Sequence, residues 1–153
     1  MTDTPILRTL LADRVIAYAM ALDARDWTGF RALFEDEIEV DYGSLGSLHA
    51  TVDAQVWTDR CRVLGGFDAT HHKISNIVVE TAGDTARVTS YVDAAHFIGD
   101  LSGFVLGTYI HDFRRDPNGW RIRAVRLVVA GYPGGGRAAF DRAFEAARAA
   151  WGA

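Results

Sequence analysis

Apolar residues at Ile6, Leu7, Leu10, Leu11, Val15, Ile16, Met20 and Leu22 recur at close to helical spacing and predict a first helix over residues 5–25. Thr4 suits its N-cap and Pro5 its first helical position. Asp26 opens a second, short helix carrying Trp27, Phe30, Leu33 and Phe34. Residues 37–42 then alternate charged and apolar side chains, the period of a strand, and Gly43, Gly46 and Ser47 mark a loop. Thr51 is expected to cap a third helix that runs to Val63 and ends at Gly65 and Gly66.

The remaining chain reads chiefly as strand. Residues 70–80, 85–98, 104–115 and 120–130 are rich in β-branched and aromatic side chains, and Ala82-Gly-Asp84 and Asp116-Pro-Asn-Gly119 supply turns between them. Short turns between consecutive strands imply an antiparallel meander. After a glycine-rich loop, residues 137–151 form a closing amphipathic helix. Helices, then a curved antiparallel sheet, then a terminal helix make an α+β fold, expected as a single domain over residues 1–153.

Alternation along the strands puts polar residues on apolar faces. Tyr42 follows Ile38 and Val40; His72 and Asn76 share a face with Ile74 and Val78; His96 follows Val88, Ser90, Val92 and Ala94; Arg126 follows Trp120, Ile122 and Ala124. Asp23 falls on the stripe of Ile16 and Met20, with Tyr18 near its edge. Small side chains at Ala86, Ser90 and Ala94 leave room for a ligand. Taken singly, each residue has a plain reading. An inward histidine is more often a hydrogen-bonded core residue than a catalyst, Asp23 can cap a helix, and Arg126 can join a surface ion pair if a β-bulge shifts its face. Together they make a costly convergence of ionisable groups on apolar faces, a pattern that marks functional sites. Asn76, Tyr109, Tyr18 and Arg126 are the candidate substrate contacts.

Composition narrows the classes. Hydrophobic residues at 49% and charged residues at 24% allow a core on a water-facing protein, while a net charge of −4 offers no basic footprint for nucleic acid. A lone cysteine, Cys61, excludes an intrachain disulfide and reads as an inert, half-buried side chain. The segment Tyr132-Pro-Gly-Gly-Gly136 lacks the Gly-Lys-Ser/Thr ending of a phosphate loop and reads as a mobile loop at a pocket mouth. The adjacent His71 and His72 point to opposite faces of a strand, so no metal is expected. The opening Met-Thr-Asp-Thr-Pro-Ile-Leu-Arg is unlike a secretory leader, and no apolar run approaches a membrane span, so a cytoplasmic location and no membrane partner are expected.

Three segments, Ala21-Leu-Asp-Ala-Arg-Asp-Trp27, Ile38-Glu-Val-Asp-Tyr42 and Thr70-His-His72, resemble the SnoaL-like branch of the nuclear transport factor 2 (NTF2-like) fold, and most of all its scytalone dehydratase group. The closing segment from Phe140 to Gly152 is similar to that group's last helix. The resemblance implies a cone-shaped domain with an Asp–His dyad at Asp23 and His72, a second pocket histidine at His96 and a water-holding tyrosine at Tyr42. A further tyrosine of the group falls on Leu22 and is missing, with Tyr18 one turn earlier as its replacement. The group's pocket serine and asparagine fall near Gly107 and Tyr109. These departures argue against scytalone itself and leave the dyad in place.

The chemistry this implies is a cofactor-free elimination. His72 takes a proton α to a carbonyl, Asp23 orients His72, Tyr42 steadies the enolate oxygen, and His96 or His72 protonates the leaving hydroxyl. The expected substrate is a small, flat, mostly apolar cyclic hydroxy-ketone. Polyketide cyclisation, isomerisation and dehydrohalogenation use the same proton transfer and stay open, as does a non-catalytic ligand-binding or assembly module. The resemblance also implies a homodimer or homotrimer through the outer face of the sheet, where Tyr91, Phe97 and Leu106 are expected to be exposed.

Overall fold

A computed structural model describes residues 4–153; part of the segment read for a leader, Met1 to Asp3, lies outside the described residues. The elements in chain order are α1 (Pro5–Ala24), α2 (Trp27–Ala32), β1 (Phe34–Asp41), β2 (His49–Asp53), α3 (Ala54–Cys61), β3 (Ala69–Ala82), β4 (Thr85–Ile98), β5 (Leu101–Asp116), β6 (Gly119–Gly131) and α4 (Gly136–Trp151). Short 3₁₀ turns cover Gly43–Leu45 and Arg62–Gly66.

The six strands form one sheet in the order β2-β1-β6-β5-β4-β3. The sheet is mixed, because β1 runs parallel to β6 while every other pair is antiparallel. An all-antiparallel meander holds only from β3 to β6. The chain between β1 and β6 includes α3 and three long strands, and that long detour permits the parallel pairing.

Strand β2 had no sequence expectation. It takes residues assigned to the start of the third helix, so Thr51 lies in the strand and Asp53 is the cap, its carboxylate accepting from Gln55 N at 2.7 Å. The helix ends at Cys61.

Helix α1 buries Leu7, Leu11, Val15, Tyr18 and Leu22, spaced by steps of four and three, against the inner face of the sheet. Ile16 and Met20 are 40% and 63% exposed, so the stripe expected to carry Asp23 faces outward. Asp23 instead follows Ala19 by one turn, on the shoulder of the buried face.

Bulges bend the strands and set their facing. In β3 the pairing with β4 slips between Ser75 and Val78, and Asn76 takes a left-handed conformation (φ 52°) there. Asparagine tolerates that region better than most residues. The slip turns Val78 outward and Val79 inward. In β6 the register shifts where Asp112 pairs with Ala124 and Phe113 with Ile122, leaving Arg123 extra. Beyond it the inward set becomes Val125 and Leu127, and Arg126 points out.

Helix α4 closes the open end of the cone. Gly103 on β5 allows this approach, since a Cβ there would lie 3.0 Å from the Phe140 Cα. The face of α4 carrying Phe140, Ala143 and Ala147 is buried under the helix, with Phe144 packed beside it. As expected, Tyr91, Phe97 and Leu106 are exposed on the opposite face of the sheet.

Candidate functional site

Between the sheet, α1, α3 and α4 lies a cavity of about 470 Å³. That is in the range of pockets for small organic ligands, about 300–1,000 Å³. Its inner wall carries Tyr18, Tyr42, Trp57, His72, His96 and Tyr109, set among Leu22, Val92, Ala94, Val105 and Leu127. Alternation along β4 brings Val92, Ala94 and His96 to this wall.

His72 is only 6% exposed at its side chain, and its Nδ1 lies 2.7 Å from Asp23 Oδ1. A carboxylate accepts, so Nδ1 carries the proton and Nε2 is the free ring nitrogen. The His72 backbone N–H also donates to Asp23 Oδ2 at 2.8 Å, and Thr70 Oγ1 donates to Oδ1 at 3.0 Å. Burial alone would raise the Asp23 pKa, but the bonds from the His72 ring and backbone and from Thr70 outweigh it and hold the carboxyl below its usual range. Asp23 stands behind His72 rather than at the cavity surface.

A carboxylate in the last turn of a helix sits at the unfavourable end of the helix dipole. Arg25, the C-cap of α1, offsets this. Its guanidinium donates to the Asp23 carbonyl, to Thr70 Oγ1, and to the carbonyls of Leu64 and Phe67 at 2.9–3.2 Å. Arg25 itself is held at φ 54°, a sparsely populated conformation for a long side chain. The clamp ties the end of α1 to the 3₁₀ turn and to β3, and so fixes Asp23 against His72.

His96 lies across the pocket wall, its ring 5.5 Å from that of His72 and at right angles to it. Its Nδ1 is 3.0 Å from the Gly103 carbonyl, which only accepts, so this nitrogen carries the proton and Nε2 is an acceptor. Burial, and then the nearby His72, lower its pKa to about 4. His96 is therefore neutral at pH 7.

The tyrosines face them. The hydroxyls of Tyr18 and Tyr42 are 2.6 Å apart and buried. Burial raises the pKa of Tyr18, Tyr42 and Tyr109, so all three stay protonated. In the Tyr18–Tyr42 pair one hydroxyl donates to the other, leaving the second proton for a ligand. Trp57 packs on Tyr42 with ring centres 4.7 Å apart, and its indole Nε1 is buried with no hydrogen-bond partner among the described residues.

The structure thus gathers Asp23, His72, His96, Tyr18, Tyr42 and Tyr109 at one place. Two expected contacts lie elsewhere. Arg126 is on the outer face and pairs with Asp41 at 3.4 Å, because the β6 bulge reverses its facing. Asn76 is exposed in the β3 bulge, away from the cavity. Arg25, Thr70 and Trp57 join the site without a sequence expectation. Thr70 begins the Thr-His-His segment, which was a local signal; the roles of Arg25 and Trp57 depend on contacts far along the chain. Cys61 lines the cavity, and burial pushes its thiol well above the usual range, so it is no nucleophile at neutral pH. No cluster of metal-ligating side chains occurs among the described residues.

Comparison with known proteins places the family and the fold. The SnoaL-like domain profile matches residues 7–126. The uncharacterised protein Rv2910c of Mycobacterium tuberculosis is 31% identical over 127 residues, covering 80% of this chain and 82% of the relative. Among solved structures, the Kfla4162 protein of Kribbella flavida superposes with a TM-score of 0.79 at 26% identity, over 92% of this chain and 96% of that one. A provisionally named scytalone dehydratase from Novosphingobium aromaticivorans superposes with a TM-score of 0.76 at 24% identity, over 86% and 90% of the two chains, a likeness of fold.

Proposed function

The chain belongs to the SnoaL-like family, and from that footing we propose that it is a lyase which dehydrates a small cyclic hydroxy-ketone by proton transfer at His72, with no cofactor. The observation that carries this reading is the 2.7 Å contact of Asp23 with His72 Nδ1, which leaves Nε2 as a base at an apolar cavity.

His72 Nε2 removes the proton α to the carbonyl, and the electron pair of that C–H bond forms the enolate. Asp23 stabilises the imidazolium. The spare proton of the Tyr18–Tyr42 pair hydrogen-bonds the enolate oxygen as its charge develops. The enolate then collapses to the carbonyl, the new C=C bond forms, the C–O bond breaks, and the leaving hydroxide takes the proton from His72 as water. That last transfer belongs to His72 alone, since neutral His96 with its only ring proton on Gly103 has none to give. His96 Nε2 can accept from the substrate hydroxyl and hold it in place.

The test is water loss from a panel of cyclic β-hydroxy-ketones, followed by absorbance, for the wild type and His72→Ala. Turnover that disappears in the variant is the expected result. Full activity in His72→Ala would sink the mechanism. Turnover only of isomerisation or halide-elimination substrates would keep the base and change the reaction.

A further inference from the structure

The cavity has two unlike ends. The inner wall is nearly inaccessible and carries neutral donors and acceptors. The outer lining comes from the Gly43–Leu45 turn and its following residues, α3 and α4, and includes Arg60, Arg137 and Arg148 against a single acid, Asp141. Asp141 is already taken: Arg137 Nε donates to it at 3.0 Å, and the same guanidinium donates to Tyr132 Oη and the Leu45 carbonyl. Arg60 has only 3.4 Å contacts to Ser47 Oγ, at the weak limit of a hydrogen bond. Arg148 has no side-chain hydrogen bond or ion pair among the described residues.

Most other arginines of this acidic chain have acidic partners: Arg31 with Asp36, Arg62 with Asp59, Arg87 with Asp112, Arg114 with Glu35, Arg115 with Asp84, Arg121 with Asp116 and Arg126 with Asp41. Arg14, Arg123 and Arg142 likewise have no hydrogen bond or ion pair among the described residues, but none of them lines the cavity that holds the histidine pair, which Arg60 and Arg148 do. Arg60 comes from α3 and Arg148 from α4, so they approach the opening from different elements.

We propose that Arg60 and Arg148 form an anion-recognition rim, and that the substrate carries a carboxylate on a tail reaching the mouth while its flat apolar part occupies the inner cavity. This rests on the reading of the cavity as the substrate site. The guanidinium fork matches a carboxylate, and two forks on separate elements would hold it at the opening. A tail fixed there sets how deep the reacting carbons reach toward His72, so binding energy at the rim orients the chemistry at the far end. The phenylalanines between the ends, Phe140 and Phe144, give the apolar part its wall.

The probes are naphthylacetic acid and its methyl ester, which share shape and differ in charge. Each is titrated calorimetrically into the full chain. The wild type is expected to bind the acid about tenfold tighter than the ester, since partly hydrated rim charges give less than buried ones. The preference should shrink in about 0.5 M salt. In the Arg60→Gln/Arg148→Gln double variant, acid and ester should bind alike while ester affinity stays within about twofold of the wild type. Arg62→Gln, which removes a charge paired with Asp59 outside the cavity, should keep the preference and separates a rim from general charge. Equal affinity of acid and ester for the wild type, or a preference that survives the double substitution, overturns the rim. Binding is read without turnover, so this outcome is independent of the His72→Ala assay that tests the lyase reading.

Discussion

Two regions of the interior hold buried histidines, and they are built on opposite rules. Around the cavity, His72 and His96 each have a fixed partner at one ring nitrogen and a free nitrogen at the other. At the closed end, His111 is fully buried beneath Tyr18 and Tyr109, and neither ring nitrogen has a partner among the described residues; the Ser90 hydroxyl is in the same condition. Burial lowers the His111 pKa to about 3. The contrast separates burial from preparation for chemistry. A buried, titration-shifted histidine is common to both regions, but only one region adds an orienting carboxylate and open space.

The sharpest way to break this contrast is to change the oriented pair. Asp23→Asn keeps size but no longer favours the Nδ1–H form of His72, and together with His72→Ala it should lower kcat by about 10³–10⁴-fold in the dehydration assay. Both variants should keep the far-ultraviolet circular dichroism of the wild type. An Asp23→Asn variant with near wild-type kcat would mean that the pair is structural.

The double substitution Tyr18→Phe/Tyr42→Phe comes next. It removes both hydroxyls of the 2.6 Å pair, and with them the spare proton offered to the enolate. Loss of one donor to a developing oxyanion costs about 3 kcal/mol, or about 10²-fold in kcat with little change in KM. A loss of less than about threefold would place the enolate oxygen elsewhere, with the unpartnered Trp57 Nε1 as the next candidate.

The two shifted histidines, one in each region, should answer in stability. His96 and His111 are neutral when folded, with pKa values of about 4 and about 3, and titrate near 6.5 when unfolded. The unfolded chain therefore binds more protons between these values. Stability is full above pH 6.5 and falls as the pH drops toward 4. Each histidine should contribute a loss of about 3 kcal/mol between pH 7 and pH 4.5, read from urea unfolding at the two values. His111→Leu should remove one share of this fall and leave turnover at pH 7 unchanged. The Asp23 carboxyl is separable, since its lowered pKa makes its contribution disappear only below the ordinary carboxylate range. Identical acid sensitivity in wild type and His111→Leu would show that the closed end is hydrated enough to hold the charge.

What could be read from the chain follows the same division. Period-two alternation in β4 placed Val92, Ala94 and His96 on one inner face, because that strand runs without a slip against β5. On the residues alone His72 or Arg126 could pair with Asp23, and the resemblance chooses His72; the stripe expected to carry Asp23 is the exposed side of α1. Tyr18, Leu11 and Leu7 define the buried side, but Ile16 and Met20 are as apolar as they are, so hydrophobicity alone could not choose the face. The β3 and β6 bulges left no mark on the pattern of residue types. In β6 one extra residue reverses the facing beyond it and carries Arg126 outward, whereas Asn76 lies within the β3 slip itself. Strand β2 was hidden for a different reason: its residues His49 to Asp53 are mostly exposed on an edge and show no apolar alternation.

Arg126 supplies the smallest effect and tests that account of the bulge. Its side chain is 57% exposed and its Nε lies 3.4 Å from Asp41, which also faces His49 at 3.8 Å. Such a pair gains little in water, because both partners remain hydrated and the long side chain loses freedom in making it. Arg126→Gln should shift unfolding free energy by less than about 0.5 kcal/mol. Because the residue lies across the sheet from His72, kcat and KM should both stay within about twofold of the wild type. A large rise in KM would mean that in solution β6 pairs without its extra residue, which would turn Arg126 inward and Val125 and Leu127 out of the core. The same measurement therefore reads register as well as charge: a KM that does not move, with Leu127→Ala costing about 2–5 kcal/mol of stability, fixes the slipped strand as the native one.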